Sequence, residues 1–459
     1  MSTTSRSPAR RRTTGTKPDG GPLGSAPPVT PAARLAAAVE LLAAVEAAPR
    51  KPADAVANGF FRDRRFIGSG DRRAVSERTW RVLRTRRRLA WWLERGGAPT
   101  VPRLLVAASL LLEGWTLDGV RQSYSGGRFA PEKLLATEAG ALRALEGHTL
   151  DHPDMPEAVR LDVPDWLLPH LSARFGDDLA TEMAAMQGEA PLDLRVNLLK
   201  ATRDQVRVAL AAEGIESVPT PISPWGLRVA GRRPVTSGAA FAAGLVEIQD
   251  EGSQLVAALV GAAPEMRVAD WCAGAGGKTL ALAMTMDNRG HIAACDVSAP
   301  RLEGAVRRLR RAGVHNVERH LVEPGDKWAK RRAGSFDRVL VDAPCTGIGT
   351  WRRNPDARLR LRPEDLAELA AKQAIILAHA ARLVRVGGRL VYATCSLLTD
   401  ENEAQVDAFL AANAAFAPVP LARAWNLPGP PPGPGPYLLL TPRTHDTDGF
   451  FAAVLERRA

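Results

Sequence analysis

The chain has 459 residues, 61 Lys and Arg against 50 Asp and Glu, a formal net charge of +11, and 45% apolar residues. That length calls for two or three domains of ~100–200 residues, and the balanced composition excludes a collagen-like or wholly disordered chain. The longest apolar stretch, Leu104 to Leu112, is far short of the ~20 residues that cross a bilayer, so a cytoplasmic protein with no membrane partner is expected.

Residues 1–30 are rich in Ser, Thr, Pro, Gly and Arg and read as a disordered basic tail. From Pro31 onward, "ARLAAAVELLAAVEA" and "RLLVAASLLLEGW" repeat apolar residues at three- and four-residue spacing, which predicts an all-α domain over 31–150. Inside it, eleven arginines from Arg62 to Arg88 face only Asp63, Asp71 and Glu77, with Phe60 and Phe61 just before them and Phe66 and Trp80 among them. Such charge density suits the phosphates of a nucleic acid; a solvated helix face is the plain alternative. A junction holding Pro153, Pro156, Pro164 and Pro169 leads to "LDLRVNLLK", a helical run from Arg203 to Glu213, and "GLRVAG". These predict a small α/β subdomain over 160–240.

From 244 to 459 short apolar strands alternate with helical runs. "MRVADWCAG", "GHIAACDVS", "NVERHLVE", "FDRVLVDAPC" and "GRLVYATCS" are the strands; Ala299–Ala312 and Pro363–Val384 are two of the helices. This alternation predicts a parallel sheet covered on both faces, closed by an antiparallel pair, "YLLLTPR" and "GFFAAVLER". The fold class is therefore α/β.

The first of these strands runs into Trp271-Cys272-Ala273-Gly274-Ala275-Gly276-Gly277-Lys278-Thr279 and then a helix. Glycines at such a turn let a ligand approach the backbone and the free N–H groups of the helix start. A phosphate loop needs glycine at 272, where cysteine stands, and a dinucleotide loop needs one at 279, where threonine stands. With Asp296 ending the next strand, 22 positions after Gly274, the loop suits a ligand with ribose hydroxyls and no pyrophosphate, such as S-adenosyl-L-methionine.

Cys345 follows Asp342 at one strand end, and Cys395 lies at the next. Ligands of open α/β sheets sit beyond the carboxyl ends of the strands, so both thiols are expected to meet one crevice. Cys272 and Cys295 fit the role of packing residues, and no Cys or His spacing suggests a metal site. Paired thiols beside a carboxylate suit methylation of a pyrimidine carbon. C5 of cytosine becomes nucleophilic once a thiolate adds at C6, and the thiolate must later leave.

"CAGAGGK", "DVS", "DAPCTGIGTWRRNPD", "TCS" and "DGFFAAVLER", in that order, resemble the motifs of the Nop/Sun family of RNA (cytosine-5)-methyltransferases over roughly residues 245–459, and "QDEGSQ" resembles the segment before them. The resemblance implies an S-adenosylmethionine-dependent, Rossmann-like domain in which Cys395 is the nucleophile and Cys345 aids release of product. It implies that Cys272, Ala273, Gly274, Ala275, Gly276, Gly277 and Lys278 form the cofactor loop, with Lys278 also near the base. Asp296 would hold the ribose, and Asp342 would face cytosine and cofactor. Glu323 stands where the family has Asp, with Asp326 as a neighbouring alternative. "LRVNLLK" resembles the family's RNA-recognition-like subdomain, and the helical part resembles a NusB-like RNA-binding domain. Structured RNA, with small-subunit (16S) ribosomal RNA expected and transfer RNA the alternative, is the implied partner of a monomer. A non-catalytic RNA-binding assembly factor and a nucleotide-dependent enzyme are the rival readings. Arg352, Arg353 and Asn354 are placed to hold RNA phosphates around an extruded base.

Overall fold

The structure, a computed structural model, describes residues 30–231 and 233–459, so the expected N-terminal tail, Thr30 apart, lies outside the described residues. Thr30 caps the first helix by accepting the Ala33 N–H, and Pro31 takes the first helical position, where its missing donor costs nothing. Helices Pro31–Glu46, Ala53–Asp63, Ser69–Arg84, Arg86–Arg95, Pro102–Leu111, Leu117–Ser123 and Ala136–Arg143 follow in turn. Leu41, Leu42, Leu83, Leu93, Leu104 and Leu105 bring their apolar faces into one solvent-free core.

The arginine run does not form a single basic surface. Arg88 is buried and bonds Asp162 and Asp151, Arg87 bonds Asp165, and Arg64, Arg78 and Arg86 pair with Glu40, Glu113 and Glu46. Arg81 also pairs with Glu113, and Arg84 donates to the Arg352 carbonyl. Much of the expected surface charge is thus neutralised by carboxylates or turned inward to join parts of the chain. Arg62, Arg65 and Arg73 remain exposed.

The next part is an antiparallel sheet of β1 (Leu192–Val196), β2 (Ser217–Pro219), β3 (Gly226–Val229) and β4 (Val246–Ile248), in the order β2-β3-β1-β4, with helix Arg203–Ala212 among its connections. β4 lies beyond the expected boundary at 240–244, because Leu194, Arg195 and Val196 pair with Ile248, Glu247 and Val246. The small sheet therefore extends to Ile248. Its "RVN" segment fastens it to the C-terminal part of the chain. Buried Arg195 donates to the Gly277 carbonyl at 2.8 Å, and the Asn197 amide donates to the carbonyls of Gly244 and Ala312.

The large sheet holds β5 (Arg267–Asp270), β6 (His291–Asp296), β7 (Val317–Leu321), β8 (Phe336–Asp342), β9 (Val384–Thr394), β10 (Phe416–Val419), β11 (Leu438–Leu440) and β12 (Phe450–Arg457). Its order is β10-β12-β9-β8-β5-β6-β7, with β11 also on β12. β5 to β9 are mutually parallel, and β12 is antiparallel to β9, β10 and β11. The closing pair is present: β11 pairs antiparallel with β12, which is also inserted between β9 and β10. Helix Ala299–Ala312 has the expected ends, and helix Pro363–Ala381 stops short of Val384, which opens β9. The chain leaves β5 toward β6 and β7, then returns to β8 on the other side of β5. That reversal opens a crevice at the carboxyl ends of β5 and β8.

Candidate active site

Asp270 ends β5 and the glycine turn follows it. Gly274 and Gly276 have φ of +55° and +80°, and a Cβ at Gly276 would come within 3.2 Å of the Ala305 methyl. Only glycine takes this path without strain. Asp296 fixes the turn: one of its oxygens accepts the Gly274 N–H and the other the Ser298 N–H, both at 2.8 Å. Helix Gly277–Thr285 starts directly afterwards.

A cavity of about 340 Å³ lies against this turn, lined by Cys272, Ala273, Gly277, Lys278, Asp270 and Asp342 on one side and by Asp250, Arg353, Asp448 and Phe450 on the other. Lys278 donates to Asp342 at 2.6 Å and sits 5.4 Å from the Phe450 ring centre. Burial works against the Lys278 charge, but Asp342, helped by Cys395 and Asp270, outweighs it and holds the ammonium's pKa above its ordinary value. Burial raises the Asp270 carboxyl to about 7, against the Thr279 hydroxyl that donates to one of its oxygens; the other oxygen has no partner among the described residues.

Cys345 and Cys395 follow adjacent parallel strands, and their sulfurs are 3.4 Å apart. Neither is sealed from solvent. Contact with Cys395, and then burial, holds the Cys345 thiol well above its ordinary pKa. Burial also keeps Cys272 and Cys295 protonated, as packing thiols would be.

Residues that the sequence reading missed hold these loops. Buried Glu401 accepts the Thr346 N–H at 2.9 Å, the Thr346 hydroxyl and the Gln373 amide, which fixes the turn carrying Cys345. Asn402 accepts from Thr394 and donates to the Ser396 carbonyl, which fixes the turn carrying Cys395. The acidic run "TDEN", soon after "TCS", was the available signal. Gly349 donates to the Cys395 carbonyl and accepts from the Gly449 N–H, joining both turns to the start of β12.

Three expected residues stand differently. Arg353 is held by Asp448 at 2.6 Å and Asp250 at 2.8 Å. Arg352 is buried and pairs with Asp446, and Asn354 bonds Thr350. Carboxylates, not open solvent, surround these guanidinium groups. Glu323 is exposed beyond β7, next to Val322, whose N–H bonds the Asp296 carbonyl, while Asp326 bonds His320 and the Trp328 N–H. Asp296 and Glu323 do not line the cavity, and neither do Gly274, Ala275, Gly276, Cys345 or Cys395.

The lining suits a cationic ligand. Asp250 and Asp342 balance Lys278 and Arg353, and Asp270 and Asp448, each raised by burial to about 7, add partial negative charge, so a cationic ligand meets more favourable charge than a polyphosphate. The second Asp270 oxygen, without a hydrogen-bond partner among the described residues, stands in this wall.

The profile described as 16S rRNA methyltransferase RsmB/F matches residues 257–456, and that of the RsmF/B-like ferredoxin-like domain matches 163–236. The ribosomal RNA small subunit methyltransferase B of Xanthomonas campestris is 33% identical over 396 residues, covering 84% of this chain and 89% of that protein. The probable ribosomal RNA small subunit methyltransferase B of Synechocystis is 35% identical over 315 residues, covering 67% and 70%. The crystal structure of a methyltransferase homolog from Pyrococcus horikoshii superposes with a TM-score of 0.58 at 28% identity, over 67% of this chain and all of that one. The chain belongs to the RsmB/F family of 16S rRNA methyltransferases, built on the S-adenosylmethionine-dependent methyltransferase fold.

Proposed function

We propose that the protein transfers the methyl group of S-adenosylmethionine to C5 of a cytosine in small-subunit ribosomal RNA, through a transient bond between Cys395 and C6. The observation that carries this reading is the pair of sulfurs 3.4 Å apart at neighbouring strand ends, beside the Lys278–Asp342 ion pair. The glycine turn, Asp270 and Asp342 are the residues to hold the donor, with Asp296 bracing the turn. When bound, the donor supplies a methyl group on a sulfonium, which leaves behind a neutral thioether.

Lys278 places positive charge near Cys395, the sulfur that attacks the ring. Cys345, kept protonated, donates its S–H to the Cys395 sulfur. The thiolate adds to C6, and the electron pair pushed toward C5 takes the methyl group. Lys278 occupies one oxygen of Asp342, leaving the other to accept from the ring's exocyclic amine. As the C5 proton leaves to solvent, the C5–C6 double bond re-forms and Cys395 departs as thiolate, stabilised by Lys278 and the Cys345 S–H. Incubation of unmodified, transcribed 16S rRNA with S-adenosylmethionine carrying a tritiated methyl group tests the reading. Label is expected in 5-methylcytidine after digestion to nucleosides, and label in any other nucleoside would overturn it.

A further inference from the structure

A buried hydrogen-bond network joins the two turns that carry the paired thiols. Its members are Gln373 on helix Pro363–Ala381, Glu401, Thr346 and Ser396; Thr346 is 6% exposed and the other three 0%. The bonds fall on residues that flank the cysteines in sequence. The Gln373 amide donates to the Pro344 carbonyl and the Thr346 N–H donates to Glu401, each at 2.9 Å, so both neighbours of Cys345 are held. The Thr346 hydroxyl donates to the other Glu401 oxygen and lies 3.2 Å from the hydroxyl of Ser396, the residue after Cys395. Glu401 is anchored in turn by the Tyr392 hydroxyl, which donates to its carbonyl at 2.6 Å.

A fully buried carboxylate is costly, and an apolar side chain of similar volume would fill the space at lower free energy. What Glu401 supplies is direction: donors from Thr346 and Gln373 converge on its two oxygens. It does not line the catalytic cavity, so it acts through these neighbours. The two turns depend on it unequally. The Cys395 turn keeps its own supports, the Gly349 N–H on the Cys395 carbonyl and Asn402 on Thr394 and Ser396. The Cys345 turn takes its side-chain supports from Glu401 and Gln373. We infer that Glu401 is a positioning residue for the release step: through Thr346 and Gln373 it keeps the Cys345 S–H aimed at the Cys395 sulfur. When the C6–S bond breaks, its electron pair returns to a sulfur that already accepts this hydrogen bond. The inference rests on the methyl-transfer reading, and it assigns one step of that reaction to a residue outside the cavity.

The test is rapid mixing of full-length protein with excess transcribed 16S rRNA and S-adenosylmethionine carrying a tritiated methyl group, for wild type, Glu401→Ala, Glu401→Gln and Thr346→Val. Glu401→Ala is expected to transfer methyl in a single-turnover burst and then to turn over about 10-fold more slowly than wild type, with a covalent RNA–protein band on a denaturing gel. Because breakdown of the adduct then limits the rate, kcat and KM for RNA fall together; a mere loss of folded protein shrinks burst and steady rate in proportion and leaves KM alone. One Glu401 oxygen takes both N–H donors, a place the amide oxygen of glutamine can fill, so Glu401→Gln is expected to recover most of the wild-type rate. Thr346→Val keeps the side-chain volume and loses the hydroxyl; the same burst and slow release are expected of it, and it decides the matter if Glu401→Ala does not fold. Proportionate loss of burst and steady rate in the folded variants, or Glu401→Gln no better than Glu401→Ala, would overturn the inference while leaving the reaction. Wild type that incorporates no label sinks the methyl-transfer reading, and this inference with it.

Discussion

Arg353→Leu probes the electrostatics around the cavity. The guanidinium lies between Asp448 and Asp250, whose side chains are 4% and 6% exposed, while its own is 31% exposed. Removing one partner of a buried pair costs roughly 3–5 kcal/mol; the partial exposure of Arg353 places the expected loss at the low end, ~3 kcal/mol. For a domain of this size that lowers Tm by about 10 °C. The cost depends on pH. Burial and then Asp250 already raise Asp448 to about 7 against the pull of Arg353, and without the guanidinium two carboxylates face each other and drive one pKa higher still. A carboxyl raised in the folded state binds protons there more readily than in the unfolded chain. Its stabilising contribution is complete below the unfolded pKa and is lost as pH rises through the folded one. Differential scanning fluorimetry is therefore expected to show a small gap from wild type at about pH 5 and the full gap at about pH 8, with R353L/D448N recovering part of it. A variant within about 3 °C of wild type at about pH 8, or a double variant no better than the single one, would refute the reasoning.

Lys278→Met leaves Asp342 without its ion-pair partner; methyl incorporation is expected to fall by about 100-fold or more, and near-normal turnover would contradict the assignment. Gly349→Ala puts a methyl group 2.2 Å from the Gly449 carbonyl oxygen, so a loss of about 1–3 kcal/mol is expected, read as a lower Tm together with lower activity because Gly349 holds the Cys395 carbonyl. Asp270 is raised by burial to about 7, so the stability it contributes is complete below about pH 4 and is lost as pH rises toward 7, by at most ~4 kcal/mol. Wild-type Tm is expected to fall more than that of Asp270→Asn across this window, and parallel profiles would show that the carboxyl is not desolvated.

Elements whose signal is local were readable from the sequence. The glycine turn, helix Ala299–Ala312 and strands β5 to β9 all carry their own periodicity or punctuation, and Asp342, Lys278, Cys345 and Cys395 follow strand ends or the turn. β10 escaped notice because Pro418 interrupts it; a strand at the sheet edge tolerates a residue that cannot donate. β2 and β4 are three residues each, too short to show alternation. The Asp250–Arg353–Asp448 cluster joins three distant segments, and no spacing in the chain reports such a meeting. The same gap explains the arginine run. Composition counts charges, but which of them meet carboxylates, as Arg88 meets Asp162, is settled only by tertiary packing.

The mechanism turns on how the two neighbouring sulfurs divide their work. Cys345→Ala protein mixed with transcribed 16S rRNA and S-adenosylmethionine is expected to yield a slower-migrating RNA–protein band on a denaturing gel, because addition still occurs and release is impaired, and the band is expected to vanish in Cys345→Ala/Cys395→Ala. A band that persists in the double variant, or methyl transfer that continues in Cys395→Ala alone, would contradict that division.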